Sequence, residues 1–545
     1  MSIKDDLLRR GYLPENLPPT FTTDSLGVYL SRKRSWFSQP RNSTVRAAIY
    51  NASKRGMTRR VFSFVHPETA HDLAEFVESR ETELMEFFQQ TQFSLSAPRP
   101  TPDGERAVEI ATHSELEEVR LSRLAQYRFV AKTDISRFYH SIYTHSIPWA
   151  LHGKSASKAD RRANSASLFM NRLDLILRAG QDGQTVGIPV GPDASRYIAE
   201  VICTAIDREF VARGGATDCA VLRHVDDVWI GADSHANAEA ALWKYREAIR
   251  AFELDINESK TQIYSESFRF SDSWPTDLAS RIEFAIDSPS RRVSERLRAA
   301  LEHAFSLTSA AGDDGILKYT LRYLDKSTLP AGQWPVIEPF LKRAAVHYGH
   351  TVDYVARIIV WRHLAKRDLD TNAWGILLVG LLDRHGRLGN DGEVCWSLYA
   401  ALRLGIVIPL DVALEVVRNC GAMSIVALLS AAHAGLVDRA IFGATENVIM
   451  GESASGPYWP VFLEWRVRDW PEGVFLVANN ALIEELAEHS ISIFDADQLP
   501  SVFRDVDEHD FGEVEHAIEQ RSSYDWEEEE EEEEDDDNND VSDDF

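Results

Sequence analysis

Three aspartates in this sequence stand where short apolar strands are predicted to end. Asp134 follows an apolar run, and Asp226 and Asp227 lie between two β-rich runs, 219–225 and 228–231, as at the tip of a tight hairpin. If the first strand pairs with this hairpin, these acids come side by side and can hold two divalent cations roughly 4 Å apart. Magnesium suits such an oxygen-rich setting. The chemistry predicted is nucleotidyl transfer, in which one metal activates a hydroxyl and the other neutralises the departing pyrophosphate.

A segment rich in glycine and proline, residues 187–197, lies between the first acid and the acid pair, and a helix is predicted over 198–210. Its glycines, Gly191 among them, allow the backbone to approach a nucleotide or a template base closely, and Ser195 is a second candidate substrate contact. The alternative is an ordinary helix entry capped by Asp193 or Ser195. An aspartate pair alone is more often a turn, but the joint order of the three elements favours an active site.

A lysine follows these elements along the chain. Residues 235–252 predict a helix, and the next stretch, 254–264, contains Lys260. This lysine could protonate the departing pyrophosphate. The alternative is a solvent-exposed lysine in a turn.

Positive charge is concentrated near the amino terminus. Residues 25–67 contain no Asp or Glu and nine basic residues, which are Arg32, Lys33, Arg34, Arg41, Arg46, Lys54, Arg55, Arg59 and Arg60. On an acidic protein such segregation predicts a local basic surface. We interpret it as a phosphate-binding surface, and the alternative is a solvated loop face.

The composition is that of a globular protein with an acidic end. The 545 residues predict two or three domains, and the hydrophobic fraction of 44% excludes global disorder. The net charge is -28, of which residues 527–544 contribute eight Glu and six Asp, so a disordered acidic tail is expected. No apolar run reaches the ~20 residues of a membrane helix, and the charged amino terminus argues against export. The four cysteines show no CxxC spacing, so neither a zinc site nor a disulfide framework is supported.

Helical patterns dominate outside the segment with the acids. Residues 71–88 predict an amphipathic helix, and from about residue 290 the sequence reads as a succession of helices. Several are predicted to close with a glycine at the C-cap position, namely Gly349, Gly405, Gly421 and Gly435. The spacing suggests stacked short helices of a solenoid kind.

The segments around Asp134, Gly191, Asp226 and Lys260 resemble motifs A, B, C and D of reverse transcriptases, in the same order. The resemblance covers roughly residues 40–265. Each motif contributes a residue type that the predicted chemistry needs, so the resemblance and the chemistry agree.

Two motifs depart from the common pattern. Motif C normally reads Tyr-x-Asp-Asp, whereas this chain has His-Val-Asp-Asp over 224–227, which keeps the acids and replaces the aromatic residue. Motif B lacks the Pro-Gln-Gly core of intron and viral enzymes and reads Pro-Val-Gly over 189–191. That variant resembles the abortive-infection and defence-associated reverse transcriptases of bacteria.

This resemblance implies an α+β fingers-palm unit with an antiparallel palm sheet, followed by an all-α, repeat-like domain in place of the usual thumb. The expected divisions are N-terminal helices and fingers over 1–128, a palm over 129–285, a helical domain over 290–525 and a disordered acidic tail over 527–545.

The resemblance also implies roles for individual residues. The three aspartates are expected to bind two Mg²⁺ ions. Arg59 and Arg60 resemble the basic fingers strand that contacts the triphosphate, with a basic surface strand as the alternative. Tyr139 lies five residues after Asp134, where reverse transcriptases place the aromatic residue that excludes a ribose 2′-hydroxyl, with a core aromatic as the alternative.

The implied function is RNA-directed or untemplated DNA synthesis from dNTPs in antiviral (phage) defence. The expected partners are dNTPs, the DNA product, a non-coding RNA template and further copies of the chain in a homo-oligomer, in the cytoplasm and away from membranes. Some enzymes of this family prime on their own tyrosine, and the sequence does not choose among its sixteen tyrosines. The alternatives are a retron-like or group II intron-like reverse transcriptase, and a catalytically idle RNA-binding scaffold.

Overall fold

The computed structural model describes most of the chain. The described residues are 2–14, 16–33, 44–54, 56, 58–102, 104–265, 268–286, 288–326, 332–471, 476 and 478–499. Three arginines of the basic segment (Arg34, Arg41 and Arg55), together with Tyr524 and the acidic run 527–545, lie outside them. The predictions made for these residues therefore stay predictions.

Within the described residues, eight strands form three antiparallel sheets. Their bounds are β1 Ala48–Ser53, β2 Arg59–Phe64, β3 Arg99–Pro100, β4 Val108–Glu109, β5 Phe129–Thr133, β6 Cys219–His224, β7 Asp227–Ala232 and β8 Gln262–Tyr264. Strands β1 and β2 form one hairpin, β3 and β4 pair as a second small sheet, and the four-stranded sheet has the order β6-β7-β5-β8. The predicted pairing of the first acid-bearing strand with the acid-tipped hairpin is present, because β5 pairs with β7.

Ten helices accompany these strands in the described part of the chain up to residue 250. They are α1 Ile3–Arg9, α2 Asp24–Ser31, α3 Pro67–Phe88, α4 His113–Leu124, α5 Phe138–Ser141, α6 Ser146–His152, α7 Lys154–Ala159, α8 Met170–Ala179, α9 Ala194–Ala212 and α10 His235–Arg250. The predicted helix over 71–88 begins four residues earlier, because Pro67 occupies its first turn and the His66 side chain accepts a hydrogen bond from Glu68 N. A capping box formed by Thr112 and Glu115 starts α4.

In the region that follows, the part that the structure describes is built from helices alone. They are α11 Trp274–Ile286, α12 Ser290–Ala311, α13 Gly315–Lys326, α14 Trp334–His347, α15 Val352–Lys366, α16 Thr371–Arg387, α17 Asp391–Leu404, α18 Leu410–Asn419, α19 Ala422–His433, α20 Ala440–Ile449, α21 Trp459–Arg468 and α22 Ala481–Glu488. The structure thus consists of an α+β unit followed by an all-helical region, as predicted. None of the helices in the described ranges has the length and hydropathy needed to cross a bilayer.

Buried side chains divide these helices between two cores. Helices α11 to α16 build one core with part of α17, for example through Leu297, Ile337 and Trp374. Helices α18 to α22 and the other face of α17 share a single core with the N-terminal helices, the β1-β2 hairpin and the four-stranded sheet. Phe64 of β2, for instance, packs on Trp459 of α21 with ring centroids 4.8 Å apart. Helices α18 to α22 therefore pack into the same hydrophobic core as the α+β unit.

The four glycines predicted as C-caps divide into two pairs. Gly405 and Gly435 end helices with positive φ angles of 68° and 78°, as predicted. The prediction was wrong for Gly349, which begins a 3₁₀ turn, and for Gly421, which is the N-cap of α19. A side chain at either site would collide, since an added Cβ would lie 2.5 Å from Glu393 Oε1 at Gly349 and 2.7 Å from Ile49 O at Gly421.

Candidate active site

The four-stranded sheet brings the three predicted acids to one end of adjacent strands. Thr133 at the end of β5 pairs with Val228 of β7, so Asp134 and Asp227 follow at neighbouring positions, and Asp226 lies in the turn between β6 and β7. Asp226 and Asp227 line a cavity of about 670 Å³, whereas Asp134 is 3% exposed. Asp134 Oδ2 accepts a hydrogen bond from Lys260 Nζ, and Oδ1 has no hydrogen-bond partner among the described residues.

Negative charge accumulates at this point. Burial and, after it, the neighbouring carboxylates of Asp227 and Asp134 together raise the pKa of the Asp226 carboxyl from 3.8 to about 6, against the weaker opposing effect of Lys260. The hydrogen bond to Asp134 raises the pKa of Lys260. In charge and in donor type these acids fit a divalent cation, as does the unpartnered buried oxygen of Asp134. Within the described ranges, however, no three His, Cys, Asp or Glu side chains stand ready in a metal-binding arrangement.

A strained turn carries Asp226. The two-residue loop that joins β6 to β7 places Val225 at φ 55°, a region that a β-branched residue rarely adopts. The loop is held from both sides, because Val225 N donates to Ser96 Oγ and Val225 O accepts from Arg223 Nη1 at 3.2 Å. Such strain persists only where the surroundings enforce it, and it is common at functional sites.

The cavity combines these acids with free cationic side chains. Arg60 of β2 and Arg137, which precedes α5, both line it and are both exposed. Neither makes a side-chain hydrogen bond or ion pair with any residue that the structure describes. A cavity with carboxylates and unpaired guanidinium groups suits a ligand that carries both metal ions and phosphates.

Comparison with known proteins agrees with this geometry. Residues 61–271 match the family model described as "Reverse transcriptase (RNA-dependent DNA polymerase)". We refer to this segment, by its match, as the reverse-transcriptase domain. It occupies less than half of the 545 residues and contains β3 to β8, the part of β2 from Val61 onward, every acid described above and Lys260. The predicted fold class, a fingers-palm unit followed by a helical region, is confirmed.

Solved telomerases show only remote similarity. The apo telomerase from Candida tropicalis truncated from its C-terminal domain is 15% identical, with 46% of this chain and 57% of that chain covered and a TM-score of 0.29. The telomerase from Candida albicans, in complex with a fragment of telomeric RNA, is 11% identical over 62% and 64%, with a TM-score of 0.28. This chain thus spans less than two thirds of either, and values this low carry no functional argument. No curated protein matches the sequence.

Tyr139 and Gly191 of the reverse-transcriptase domain both line the cavity. Tyr139 is half-buried, and its backbone oxygen accepts a hydrogen bond from Ile188 N at 2.8 Å, which joins the motif A helix to the motif B loop. Burial raises the pKa of its hydroxyl well above the usual value. Gly191 has a φ of 123°, and an added Cβ would lie 2.9 Å from Pro14 Cγ, so this position requires glycine.

Ser195 does not lie among the cavity-lining residues of the reverse-transcriptase domain. Its side chain is buried, whereas the next residue, Arg196, lines the cavity. Asp193, one of the two caps that the alternative named, occupies the N-cap position of α9, but its carboxylate makes no capping hydrogen bond. It instead accepts bonds from Arg106 Nη2 at 2.5 Å and Ala107 N at 3.1 Å, which fasten the motif B loop to the β3-β4 segment.

The two arginines predicted to bind a triphosphate have different surroundings. Arg60 is exposed and unpaired, as described above. Arg59 lines the same cavity, but its guanidinium is bound by Glu393 of α17, at 2.7 Å from Nη1 and from Nη2. The ion-pair partner of Arg59 is therefore a residue of the helical region that follows the reverse-transcriptase domain.

The sequence analysis missed a buried ion cluster next to the turn between β6 and β7. Arg223 of β6 is 0% exposed and pairs with Glu200 at 2.9 Å and with Asp207 at 3.0 Å, both on α9. Burial would lower the pKa of Arg223, but the two carboxylates raise it well above its usual value. The signal was available, since Arg223 interrupts an apolar strand and the two acids lie seven residues apart on one helix face.

Proposed function

We propose that this protein synthesises DNA from deoxynucleoside triphosphates by two-metal nucleotidyl transfer. The observation that carries the proposal is one cavity lined by Asp226 and Asp227, with Asp134 at the end of the neighbouring strand, and by the unpaired Arg60 and Arg137. Asp134, Arg137, Asp226 and Asp227 lie within the matched residues 61–271, and Arg60 directly precedes them.

The side chains divide the work. Asp134, Asp226 and Asp227 would hold two Mg²⁺ ions, which supply charge neutralisation for attack by a hydroxyl and for departure of pyrophosphate. Arg60 and Arg137 bind the triphosphate oxygens, because each guanidinium has free donors.

Three further groups surround the nucleotide. Lys260, which forms a hydrogen bond with Asp134, would be placed to donate a proton to the departing pyrophosphate once the acids hold cations. Tyr139 excludes the ribose 2′-hydroxyl, which gives a preference for dNTPs. The close backbone approach at Gly191 leaves room for the base.

Incorporation of labelled dNTPs tests this proposal directly. Purified full-length protein is incubated with Mg²⁺, labelled dNTPs and either an RNA template with a DNA primer or no added nucleic acid. Asp134→Ala and Asp226→Ala should abolish incorporation and leave the circular dichroism spectrum unchanged, because these acids stabilise charge rather than packing. Incorporation by either variant at the wild-type rate would refute the proposal, and an inactive wild type would favour the idle RNA-binding scaffold.

The finer assignment follows the sequence resemblance. We propose that synthesis is RNA-directed or untemplated, takes place in the cytoplasm in antiviral defence, and is carried out by a homo-oligomer. Extraction of co-purifying nucleic acid, followed by RNase and DNase digestion, distinguishes an RNA template from untemplated product. Label that stays with the protein on a denaturing gel, survives RNase and is released by protease would support priming on a tyrosine.

A further inference from the structure

The β1-β2 hairpin of the fingers is bound by helices that lie outside the reverse-transcriptase domain. Arg59 at the start of β2 forms a two-pronged ion pair with Glu393 of α17, whose side chain is 3% exposed. The remaining face of the guanidinium is also occupied, since Nε donates to Asn51 Oδ1 at 2.5 Å and Nη2 donates to Asn51 O at 3.2 Å. Arg59 therefore ties both strands of the hairpin to α17.

A second layer of contacts continues into the helical region. Asn51 Nδ2 donates to Gly389 O and to Asp391 Oδ2, both at 2.7 Å. The other oxygen of Asp391 accepts from Gly421 N at 2.7 Å and from Ser424 Oγ at 2.8 Å, which extends the network to the first turn of α19. All of these groups are backbone atoms or short side chains, so the geometry leaves little freedom of movement.

Two glycines bring these helices onto the backbone of β1. An added Cβ at Gly392 would lie 3.1 Å from Ala52 Cα, and one at Gly421 would lie 2.7 Å from Ile49 O. Contact at this distance allows α17 and α19 to support the strand directly, in addition to the hydrogen bonds. The hairpin is thus clamped along β1 as well as at Arg59.

Arg60 is placed by this clamp. Successive side chains of a strand point to opposite faces, so Arg59 and Arg60 cannot both face Glu393. With Arg59 held, Arg60 remains exposed at the cavity beside Lys54 and Arg137. Releasing Arg59 toward a phosphate would leave the buried Glu393 carboxylate without its counter-charge, which opposes such a movement.

We propose that Glu393 and Asp391 are positioning residues for the incoming nucleotide, which act through Arg59 and Asn51 to hold the β1-β2 hairpin and thereby Arg60. This inference rests on the proposed function, because the triphosphate is the ligand that Arg60 would meet. It makes the helices after the polymerase motifs a part of the nucleotide site. It also assigns Arg59 to support rather than to direct phosphate contact.

The experiment compares Glu393→Gln with a matched control in the full-length protein. Gln keeps the shape and one acceptor but removes the charge, whereas Asp383→Asn removes an acid that pairs with Arg387 on the surface of α16, away from the hairpin. Hydrogen exchange of residues 48–53 and 59–64 is measured without substrate. KM and kcat for dNTP incorporation, and the equilibrium Kd for a Mg²⁺-dNTP, are measured on the same samples.

The clamp predicts a local loosening together with weaker nucleotide binding. In Glu393→Gln, exchange in both strands should rise about tenfold, and KM and Kd should rise about tenfold with kcat within about threefold of wild type, since a charge-assisted pair is lost. Asp383→Asn should change none of these quantities. If Glu393→Gln does not fold, Ser424→Ala, which removes one hydrogen bond from the far end of the network, should shift exchange and KM in the same direction by a smaller factor.

Several outcomes would overturn the inference. Unchanged hairpin exchange in Glu393→Gln would show that the clamp does not hold the strands, and faster exchange with unchanged KM and Kd would show that it does not position the nucleotide. A rise in KM for Arg59→Lys as large as that for Arg60→Lys, without faster exchange, would make Arg59 a direct phosphate ligand. A wild-type protein that binds dNTP without incorporating it would refute the proposed polymerase function alone, while failure to bind any dNTP would refute both.

Discussion

Two hairpins bring charge to the same cavity, and they are supported in different ways. The β6-β7 hairpin carries Asp226 and Asp227 and is held by Ser96, Arg223 and α9, all inside the matched segment 61–271. The β1-β2 hairpin carries Arg60 and is held by residues 389–424 of the helical region. The hairpin that carries the two acids is therefore supported entirely within the reverse-transcriptase domain. The hairpin that carries Arg60 depends instead on helices that follow this domain.

Breaking the support of the acidic hairpin should have the largest effect. Arg223→Met leaves Glu200 and Asp207 buried without a counter-charge, which should lower the free energy of unfolding by about 3–5 kcal/mol. Urea unfolding followed by circular dichroism measures it. A triple variant that also carries Glu200→Gln and Asp207→Asn should recover most of the stability but not kcat, because Val225 O still lacks its guanidinium donor. Recovery of both would show that Arg223 serves stability alone.

The basic hairpin can be tested at its two adjacent arginines. Arg60→Ala should raise the KM for dNTP about tenfold with little change in the unfolding midpoint, because an exposed, unpaired guanidinium contributes to binding and not to packing. Arg59→Ala should lower the unfolding midpoint, because it leaves Glu393 buried and unpaired. Steady-state incorporation and thermal unfolding separate the two effects. Equal losses of stability in both variants would contradict the division between them.

Tyr139 lines the cavity to which both hairpins contribute, and its substitution tests whether the cavity excludes ribonucleotides. Tyr139→Ala should raise ribonucleotide incorporation relative to deoxynucleotide by about tenfold, since it removes a steric exclusion rather than an attractive contact. Competition between labelled rNTP and dNTP measures the ratio. Tyr143→Ala, at a neighbouring tyrosine that does not line the cavity, is the control. An unchanged ratio in Tyr139→Ala would leave it as a core aromatic.

The smallest expected effect concerns the stability of the acidic hairpin without metal. The folded state raises the pKa of Asp226 from 3.8 to about 6, so ionisation favours the unfolded chain and wild-type stability falls as the pH rises through this interval. In EDTA, Asp226→Asn should therefore unfold at a higher temperature than wild type at pH 7. The difference should grow as the pH rises from 3.8 to about 6 and should level off above that interval. Parallel unfolding curves across this range would show that Asp226 is not destabilised by its neighbours.

Much of the site was predictable because its signals are local. An acid after an apolar run and a pair of acids between two β-rich runs predict where Asp134, Asp226 and Asp227 lie, since strand ends and tight turns depend on neighbouring residues. The helix starts at Pro67 and Ala194 were placed within a few residues for the same reason. For Ser195 and Arg59, the sequence predicted a substrate contact from the residue type alone. Their surroundings in the structure could not be predicted, because the contacting residues come from distant parts of the chain.

By itself the sequence determined the order of the motifs, the strands that present the acids, the helical nature of the second half and the concentration of basic residues near the amino terminus. Only the tertiary structure decided that Arg59 pairs with Glu393 while the adjacent Arg60 has no partner among the described residues. It also decided that Gly421 begins a helix rather than ending one, and that Arg223 pairs with acids of α9. The physical reason is that hydrophobic patterns and turn residues act over a few positions. The partner of a buried charge is set by packing between segments that are hundreds of residues apart, as with Arg59 and Glu393.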